Sequence, residues 1–435
     1  WRGLQIGLLV SVAAAFVLLP AVGRLVRGGF AALPVPARGA LAGVALLGLA
    51  SSLLSVRPLY ALRQYALLAL LFLLVIAVAS GTAALGDRGY RTVAGVVALS
   101  ALAYVTLFLA VLLVDPWNMG GWRVNLFVGY ANPRFFGQLQ SWTLPLMVVP
   151  VLDRRGTPPL ARAAFGLAAA GWWMLFLVSG SRAPALSLAV AVVVTLACFG
   201  RRALPWLGAQ GAALAAGIAR YNLVPGLGSS SQTGVASAVA RGATDTGRSL
   251  LWRHAADLMA GSPGLGVGPG NYAFFRALPG IPSPAGYSAH PHNAALQWGA
   301  EWGVPAALLL LAVLVWGMWS WLRAGRRAED GGPGGLLPAL TAALVAAAVH
   351  SCVDGMLVMP LPQTVGAVVL GLALGVHLRR AGTPARPAVR YGAPLSLAAA
   401  ALAAAVLAAT FRLPAVEPGP REQLQPAFWV HGAIP

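Results

Sequence analysis

Ala183-Pro-Ala-Leu-Ser-Leu-Ala-Val-Ala-Val-Val-Val-Thr-Leu-Ala-Cys-Phe-Gly200 carries no charge from end to end. A helix needs roughly 20 apolar residues to cross a bilayer, and one that is apolar all round has no face to offer water. The flanks are basic: Arg182 precedes the run and Arg201-Arg202 follow it. The same pattern recurs near residues 4–23, 39–56, 60–83, 92–114, 134–152, 160–180 and 203–219, and again near 304–322, 337–358, 362–378 and 392–412. Over the 435 residues only 9% are charged and 58% are hydrophobic, against about 25% charged in soluble domains. The expected fold is therefore all-α: a polytopic membrane protein of about 12 transmembrane helices.

The formal net charge is +19, and every basic residue is arginine. A chain this basic could suggest nucleic acid. The arginines sit in short loops between spans, however, so membrane topology explains them and no nucleic-acid partner is expected. Arg154, Arg155 and Arg162, then Arg201 and Arg202, then Arg323, Arg326 and Arg327, then Arg379, Arg380, Arg386 and Arg390 mark loops that read as cytoplasmic. The stretch 220–303, the 115–133 loop, the turn at Arg182 and the C-terminal tail then lie outside. Arg24, Arg27, Arg38, Arg57 and Arg63 are spread over neighbouring loops and orient nothing. This divides the chain into N-terminal helices over 1–219, an external loop with short helices over 220–303, C-terminal helices over 304–412 and a tail over 413–435. Cys198 and Cys352 both fall in apolar segments, so no disulfide framework is implied. No period of 20–50 residues repeats. The first residue is Trp1, which points to a short N-terminal piece before it.

Loops longer than about 15 residues are usually functional or disordered, and 220–303 is the only long non-spanning segment. Its first part, Gly226 to Ala243, is rich in Gly, Ser and Ala. Residues 244–259 then read as a helix, capped by Asp245 or Thr246, with Arg248, Trp252, Ala255 and Met259 along one face. A cation in the first turn opposes the helix dipole, so an anion held there by Arg248 and the free N–H groups is one reading. A solvated or headgroup-facing arginine is the other. Gly264-Leu-Gly-Val-Gly-Pro-Gly270 follows no strand and precedes no Gly-Lys-Ser, so it reads as a tight structural turn rather than a nucleotide loop. In His290-Pro-His-Asn293 the proline suits a first helical position. That would put His292 in the first helical turn, its ring kept neutral by the dipole and able to accept a proton. His290 and His292 are two apart with no acidic or cysteine ligand close by, so no metal site is expected; histidines that merely anchor the helix are the alternative.

Arg182, in Ser179-Gly-Ser-Arg-Ala-Pro184, occupies the external turn of an otherwise apolar hairpin, against the positive-inside bias. It is either functional or snorkelling to headgroups. Arg123 and Arg134 bracket a further external segment containing Asn132, and Asp354 could pair with one of these arginines. Arginines and a histidine with few carboxylates suit a phosphate-bearing ligand, because guanidinium matches phosphate through two parallel hydrogen bonds. The set does not suit carboxylate-held metals or a carboxylate-pair glycosidase.

Taken in order, these motifs resemble the bacterial O-antigen ligase superfamily, which includes O-antigen ligases, O-antigen polymerases and protein O-oligosaccharyltransferases. Ala131-Asn-Pro-Arg-Phe-Phe136 resembles the family's Gly-Asn-Pro-Asn-Phe element, with Arg134 in place of asparagine. Ser179-Gly-Ser-Arg182 resembles its Ser-x-Ser-Arg turn. Arg248 to Trp252, followed by Pro263-Gly-Leu-Gly-Val-Gly268, resembles Arg-x-x-x-Trp…Pro-x-x-Gly-x-Gly. His292-Asn293, then Gly303, resembles the ligase histidine motif, with Ala306 where its last glycine would stand. The resemblance covers roughly residues 60–380. It implies a GT-C-like glycosyltransferase of the Gram-negative inner membrane. Such an enzyme works at the periplasmic face without metal or other cofactor, by inverting transfer of a glycan from undecaprenyl pyrophosphate to lipid A–core, among membrane lipids. Carried over by position, Arg182 and Arg248 would neutralise the pyrophosphate and His292 would act on the acceptor hydroxyl. Arg123, Arg134, Asn132, Trp252, His290 and Asn293 would contact substrate. A polymerase uses the same donor. A protein oligosaccharyltransferase commonly carries a larger C-terminal domain than the stretch after Arg412. From a different class, a lipid-linked glycan flippase would line its spans with charges, which these spans lack.

Overall fold

The computed structural model describes residues 2–114, 127–130, 133–223, 248–275, 290–328 and 332–382. Among them the regular elements are all helical. In chain order they are α1 (Arg2–Leu18), α2 (Pro20–Ala32), α3 (Val35–Leu53), α4 (Pro58–Leu85), α5 (Asp87–Val114), α6 (Pro133–Thr143), α7 (Val149–Leu152) and α8 (Pro159–Ser179). They continue with α9 (Arg182–Phe199), α10 (Leu204–Leu223), α11 (Arg248–Gly261), α12 (Ala294–Trp302), α13 (Val304–Arg327), α14 (Leu336–Ser351) and α15 (Pro360–Arg380). Proline occupies the first turn of α2, α3, α4, α8 and α15, where its missing N–H would have gone unbonded anyway.

Among the described residues nine helices are long and apolar enough to cross a membrane, which makes the chain a multi-pass membrane protein. They follow the expected spans closely, with two differences. The span expected at 4–23 is broken: α1 stops at Leu18, Leu19 is extended before Pro20, and α2 departs at 101°. The residue before a proline is pushed out of the helical region, so the hydrophobic run could not continue straight. In addition, Arg182–Leu223 passes as one 42-residue stretch, yet Gly200 at φ 55° ends α9 and a 3₁₀ turn separates it from α10. The sequence had placed two spans there. The expected span at 392–412 and the tail at 413–435 lie outside the described residues.

The chain forms two compact units. The first comprises Trp1–Gly86, Asp245–Ser320 and Leu357–Pro435. In it, Ile6, Leu9 and Ala13 of α1 pack on Ala66, Leu67, Leu70, Leu71 and Leu74 of α4, with Ala367 of α15 closing the cluster. Helices α4 and α15 touch backbone to backbone. A Cβ at Gly375 would lie 2.5 Å from the Ala79 carbonyl oxygen and 2.7 Å from Thr82 Cβ, and one at Gly371 would lie 2.7 Å from the Val75 carbonyl oxygen. This small-xxx-small stripe is how membrane helices gain contact without a hydrophobic driving force between them. Gly375→Ala is therefore expected to force the pair apart, destabilising the protein by about 1–3 kcal/mol. Thermal unfolding in detergent against a neighbouring lipid-facing glycine-to-alanine control measures it, and an unchanged midpoint would refute the close packing.

The second unit comprises Asp87–Thr244 and Trp321–Met356. Its centre is α14, buried continuously from Leu336 to Ala347 and packed along α9 and α6. An aromatic group of Tyr104, Phe127, Tyr130, Phe136 and Trp172 fills the space between α5, α6 and α8, with Phe136 and Trp172 at 5.0 Å. Apolar side chains such as Leu186 and Val193 on α9 remain on the outside, as lipid-facing positions should.

Candidate functional site

In the first unit, the chain around α11 and α12 folds back on itself. Ala255, Tyr272 and Ala300 form a buried cluster, with Leu258, Met259 and Leu296 packed on it. The Tyr272 hydroxyl donates to the Leu251 carbonyl at 3.1 Å, and the His254 ring meets Tyr272 edge-on at 5.2 Å. Burial lowers the His254 pKa from its ordinary value, which keeps the ring neutral inside this cluster.

The glycine-rich stretch after α11 is the structural turn its sequence suggested. Gly266, Gly268 and Gly270 have φ of 67°, 101° and 75°, the left-handed region that favours glycine. A Cβ on Gly266 would also lie 2.6 Å from the Ala300 carbonyl oxygen. The backbone donors here serve the protein itself. Val267 N–H donates to the Ala300 carbonyl, Gly268 N–H to the Glu301 carbonyl, and Val304 N–H to the Pro263 carbonyl. The turn thus caps the C-terminal end of α12, whose last carbonyls would otherwise lack partners.

The histidine segment differs from its sequence reading. Helix α12 begins at Ala294, not at Pro291, because Asn293 is its N-cap: the Asn293 side chain accepts the Leu296 N–H at 3.1 Å. His292 stands before the helix with φ 55°. It is the one non-glycine residue with positive φ among those described, and such outliers gather at functional sites. Its N–H donates to His290 Nδ1 at 3.3 Å, and the two rings lie 4.3 Å apart. His290 is buried and His292 is half-exposed. The Trp252 indole donates to the Pro291 carbonyl at 3.0 Å, so α11 holds the histidine segment directly. Arg248, half-exposed, lies one turn before Trp252 on the same face of α11. The structure therefore links Trp252 to the segment of His290, His292 and Asn293, with Arg248 one helical turn before Trp252. The caps expected at Asp245 or Thr246 lie outside the described residues.

Arg182 belongs to the second unit, and the turn around it is tight. Gly180, at φ 56°, ends α8, and extended Ser181 leads directly into α9, with the exposed Arg182 as its first residue. A cation here opposes the helix dipole. Ser181 packs on Gly137 of α6, where a Cβ would lie 3.2 Å from Ser181 Cβ. The Asp354 carboxylate lies 3.4 Å from His350 Nε2, while His350 Nδ1 is 2.8 Å from Ser141 Oγ. Ser141 and His350 are fully buried. Arg123 and Asn132 lie outside the described residues, as does the side chain of Arg134.

One residue that the sequence reading passed over is central to the first unit. Glu301, in the last turn of α12, is 3% exposed. Its Oε2 accepts the Gly270 N–H at 2.9 Å, its Oε1 accepts the Gln297 amide at 3.2 Å, and its carbonyl accepts the Ser51 hydroxyl at 3.0 Å. Burial pushes the carboxyl up from 4.5 to about 7, against hydrogen bonds from Gly270, Gln297 and Tyr272 that pull it down. The folded state therefore holds this proton more tightly than the unfolded chain. Its contribution is fully present below pH 4.5 and is lost as pH rises to about 7. At about 1.4 kcal/mol per unit that amounts to about 3 kcal/mol of stability lost across the window. Glu301→Gln should abolish this slope and melt above the wild type at pH 8. Parallel thermal unfolding at pH 5 and pH 8 tests it, and equal pH slopes would refute the buried titration.

In comparison with known families, residues 165–311 match the family described as O-antigen ligase. The matched interval contains Arg182, Arg248 and His292. No curated protein matches the chain.

Proposed function

We propose, for a chain that belongs to the O-antigen ligase/polymerase superfamily, that it transfers a glycan from undecaprenyl pyrophosphate to the lipid A–core of lipopolysaccharide. The observation carrying this reading is the Trp252–Pro291 hydrogen bond. It ties the helix bearing Arg248 to the segment bearing His292, so a phosphate-matching cation and a proton acceptor share one small assembly outside the membrane-spanning helices. The reaction is a single displacement at the periplasmic face of the inner membrane. The acceptor oxygen bonds to the anomeric carbon, the bond from that carbon to the pyrophosphate oxygen breaks with its electron pair, and the hydroxyl proton passes to His292. Arg248 neutralises the charge that grows on the leaving group, where a fixed cation shielded from water is most effective. The family resemblance adds Arg182 to the cations serving the pyrophosphate, and assigns substrate contacts to Arg123, Arg134, Asn132, Trp252, His290 and Asn293. Charge neutralisation by guanidinium leaves no step that calls for a metal.

The test is transfer by the purified protein in detergent, with undecaprenyl-pyrophosphate-linked glycan and rough lipopolysaccharide, in EDTA and without nucleotide. Glycan on the lipid A–core is the expected product. Growth of the glycan on its own carrier would make the protein a polymerase, and no transfer to either acceptor would sink the glycosyl-transfer reading.

A further inference from the structure

Hydrogen bonds converge on Glu301: Gly270, Gln297 and Tyr272 donate to its carboxylate, and Ser51 and Gly268 to its main-chain carbonyl. They belong to a closed circuit. Gly270, held by Glu301 Oε2, opens the 3₁₀ turn Asn271–Phe275. Tyr272 of that turn is bonded to Leu251 on α11. Next to Leu251, Trp252 is bonded to Pro291. His292 follows, then the Asn293 cap, and α12 runs back to Glu301. Apart from the exposed Trp252, the linked groups are buried or half-buried, and the carboxylate closes the loop.

We propose that Glu301 is a positioning residue for the transfer reaction. By latching Gly270 to α12, it fixes the register between the helix that carries Arg248 and the segment that presents His292. The proposal rests on the transfer reading above but adds a residue that never touches substrate. A carboxylate is suited to the task. Its two oxygens accept two diverging donors at once, whereas an apolar residue would leave the Gly270 N–H without its acceptor. A carboxylate is also the costly choice for a buried site, and stability alone would favour a neutral side chain there. The groups facing it are the Gln297 amide on its own helix and the Gly270 and Tyr272 backbone N–H groups from the turn. Tyr60 of α4 and the Tyr272 phenol also lie within its electrostatic reach. A misplacement of about 1 Å at a reacting group can cost two orders of magnitude in rate, so a latch of two hydrogen bonds is enough to matter.

The experiment compares Glu301→Ala, Glu301→Asp and Glu301→Gln with the wild type, reading kcat and KM for the lipid-linked donor alongside amide hydrogen exchange over residues 264–275 and 290–302. Glutamine keeps an acceptor for Gly270 and offers its amide to Gln297, so Glu301→Gln should stay within about threefold of wild-type kcat with unchanged exchange at Gly270. Glu301→Ala should lose at least tenfold in kcat, with faster exchange at Gly270 and at the His292 segment and a thermal midpoint that still reports a folded protein. Should the alanine variant fail to fold, Glu301→Asp, which keeps the charge but falls a methylene short, must show the same pairing of lowered kcat and faster exchange. Wild-type kcat in a folded alanine variant, or equal losses in the alanine and glutamine variants, would overturn the latch. A wild-type protein that transfers to no acceptor would instead sink the transfer reading, while the exchange data would still decide whether Glu301 holds the two segments together.

Discussion

Replacing Arg248 by alanine should lower the transfer rate by about two to three orders of magnitude, the usual effect of removing one preorganised group from a developing charge. The charge on a departing pyrophosphate is larger in the transition state than in the bound donor. The loss should therefore fall mainly on kcat rather than on KM. Folding should survive, because Arg248 is half-exposed and contributes nothing to the cluster of Ala255, Tyr272 and Ala300. Lysine should recover only part of the rate, since an ammonium cannot reproduce the two parallel hydrogen bonds of a guanidinium. Single-turnover rates for Arg248→Ala and Arg248→Lys, with thermal unfolding alongside, test the assignment. An alanine variant with wild-type kcat would remove Arg248 from the leaving-group site.

The membrane-spanning helices were legible because their signal is redundant. In a stretch such as 183–200 nearly every residue votes the same way, and basic residues at both ends mark where it stops. Two features lay beyond that signal. The 101° break at Leu19–Pro20 sits inside a run that is hydrophobic on both sides, and hydropathy does not see backbone direction. The division into two units, each assembled from separated segments, depends on which helices pack together. That follows from details such as the Gly371 and Gly375 contacts with α4 rather than from periodicity.

The site was legible where chemistry stands out against the background. Arginine in the turn of an apolar hairpin and paired histidines in an apolar chain are conspicuous, and the Trp252 indole does reach the histidine segment, at the Pro291 carbonyl. Finer geometry was not legible. Pro291 and Asn293 are both good helix starters, and the choice between them is settled by the Asn293 side chain reaching the Leu296 N–H. Glu301 gave a faint signal, one acid between Ala300 and Trp302 at the end of an apolar helix. Its meaning depends on Gly270, thirty-one residues earlier. For Asp354 charge alone suggested an arginine, and the structure adds His350, one helical turn back and within ion-pair distance.

The left-handed backbone of His292 makes it possible to separate its chemistry from its geometry. Asparagine and glycine tolerate that conformation, while alanine there is strained. His292→Asn should therefore keep the φ of 55° and a side-chain oxygen able to accept the acceptor hydroxyl's hydrogen bond, but it cannot take the proton. Proton transfer by a positioned side chain contributes about 10²–10⁴ in rate. If His292 is the base, Asn and Gly variants should both lose kcat by that order while the thermal midpoint stays near the wild type. If it only orients the acceptor, the Asn variant should keep most of the rate and the Gly variant should lose it. The pH–rate profile adds an independent reading, because both roles need the unprotonated group: an acidic limb carried by His292 flattens in the Asn variant, whereas one carried by Glu301 persists there and disappears in Glu301→Gln. Wild-type rates in both His292 variants would exclude the residue from the reaction and leave its strained backbone to be explained by the Trp252–Pro291 bond alone.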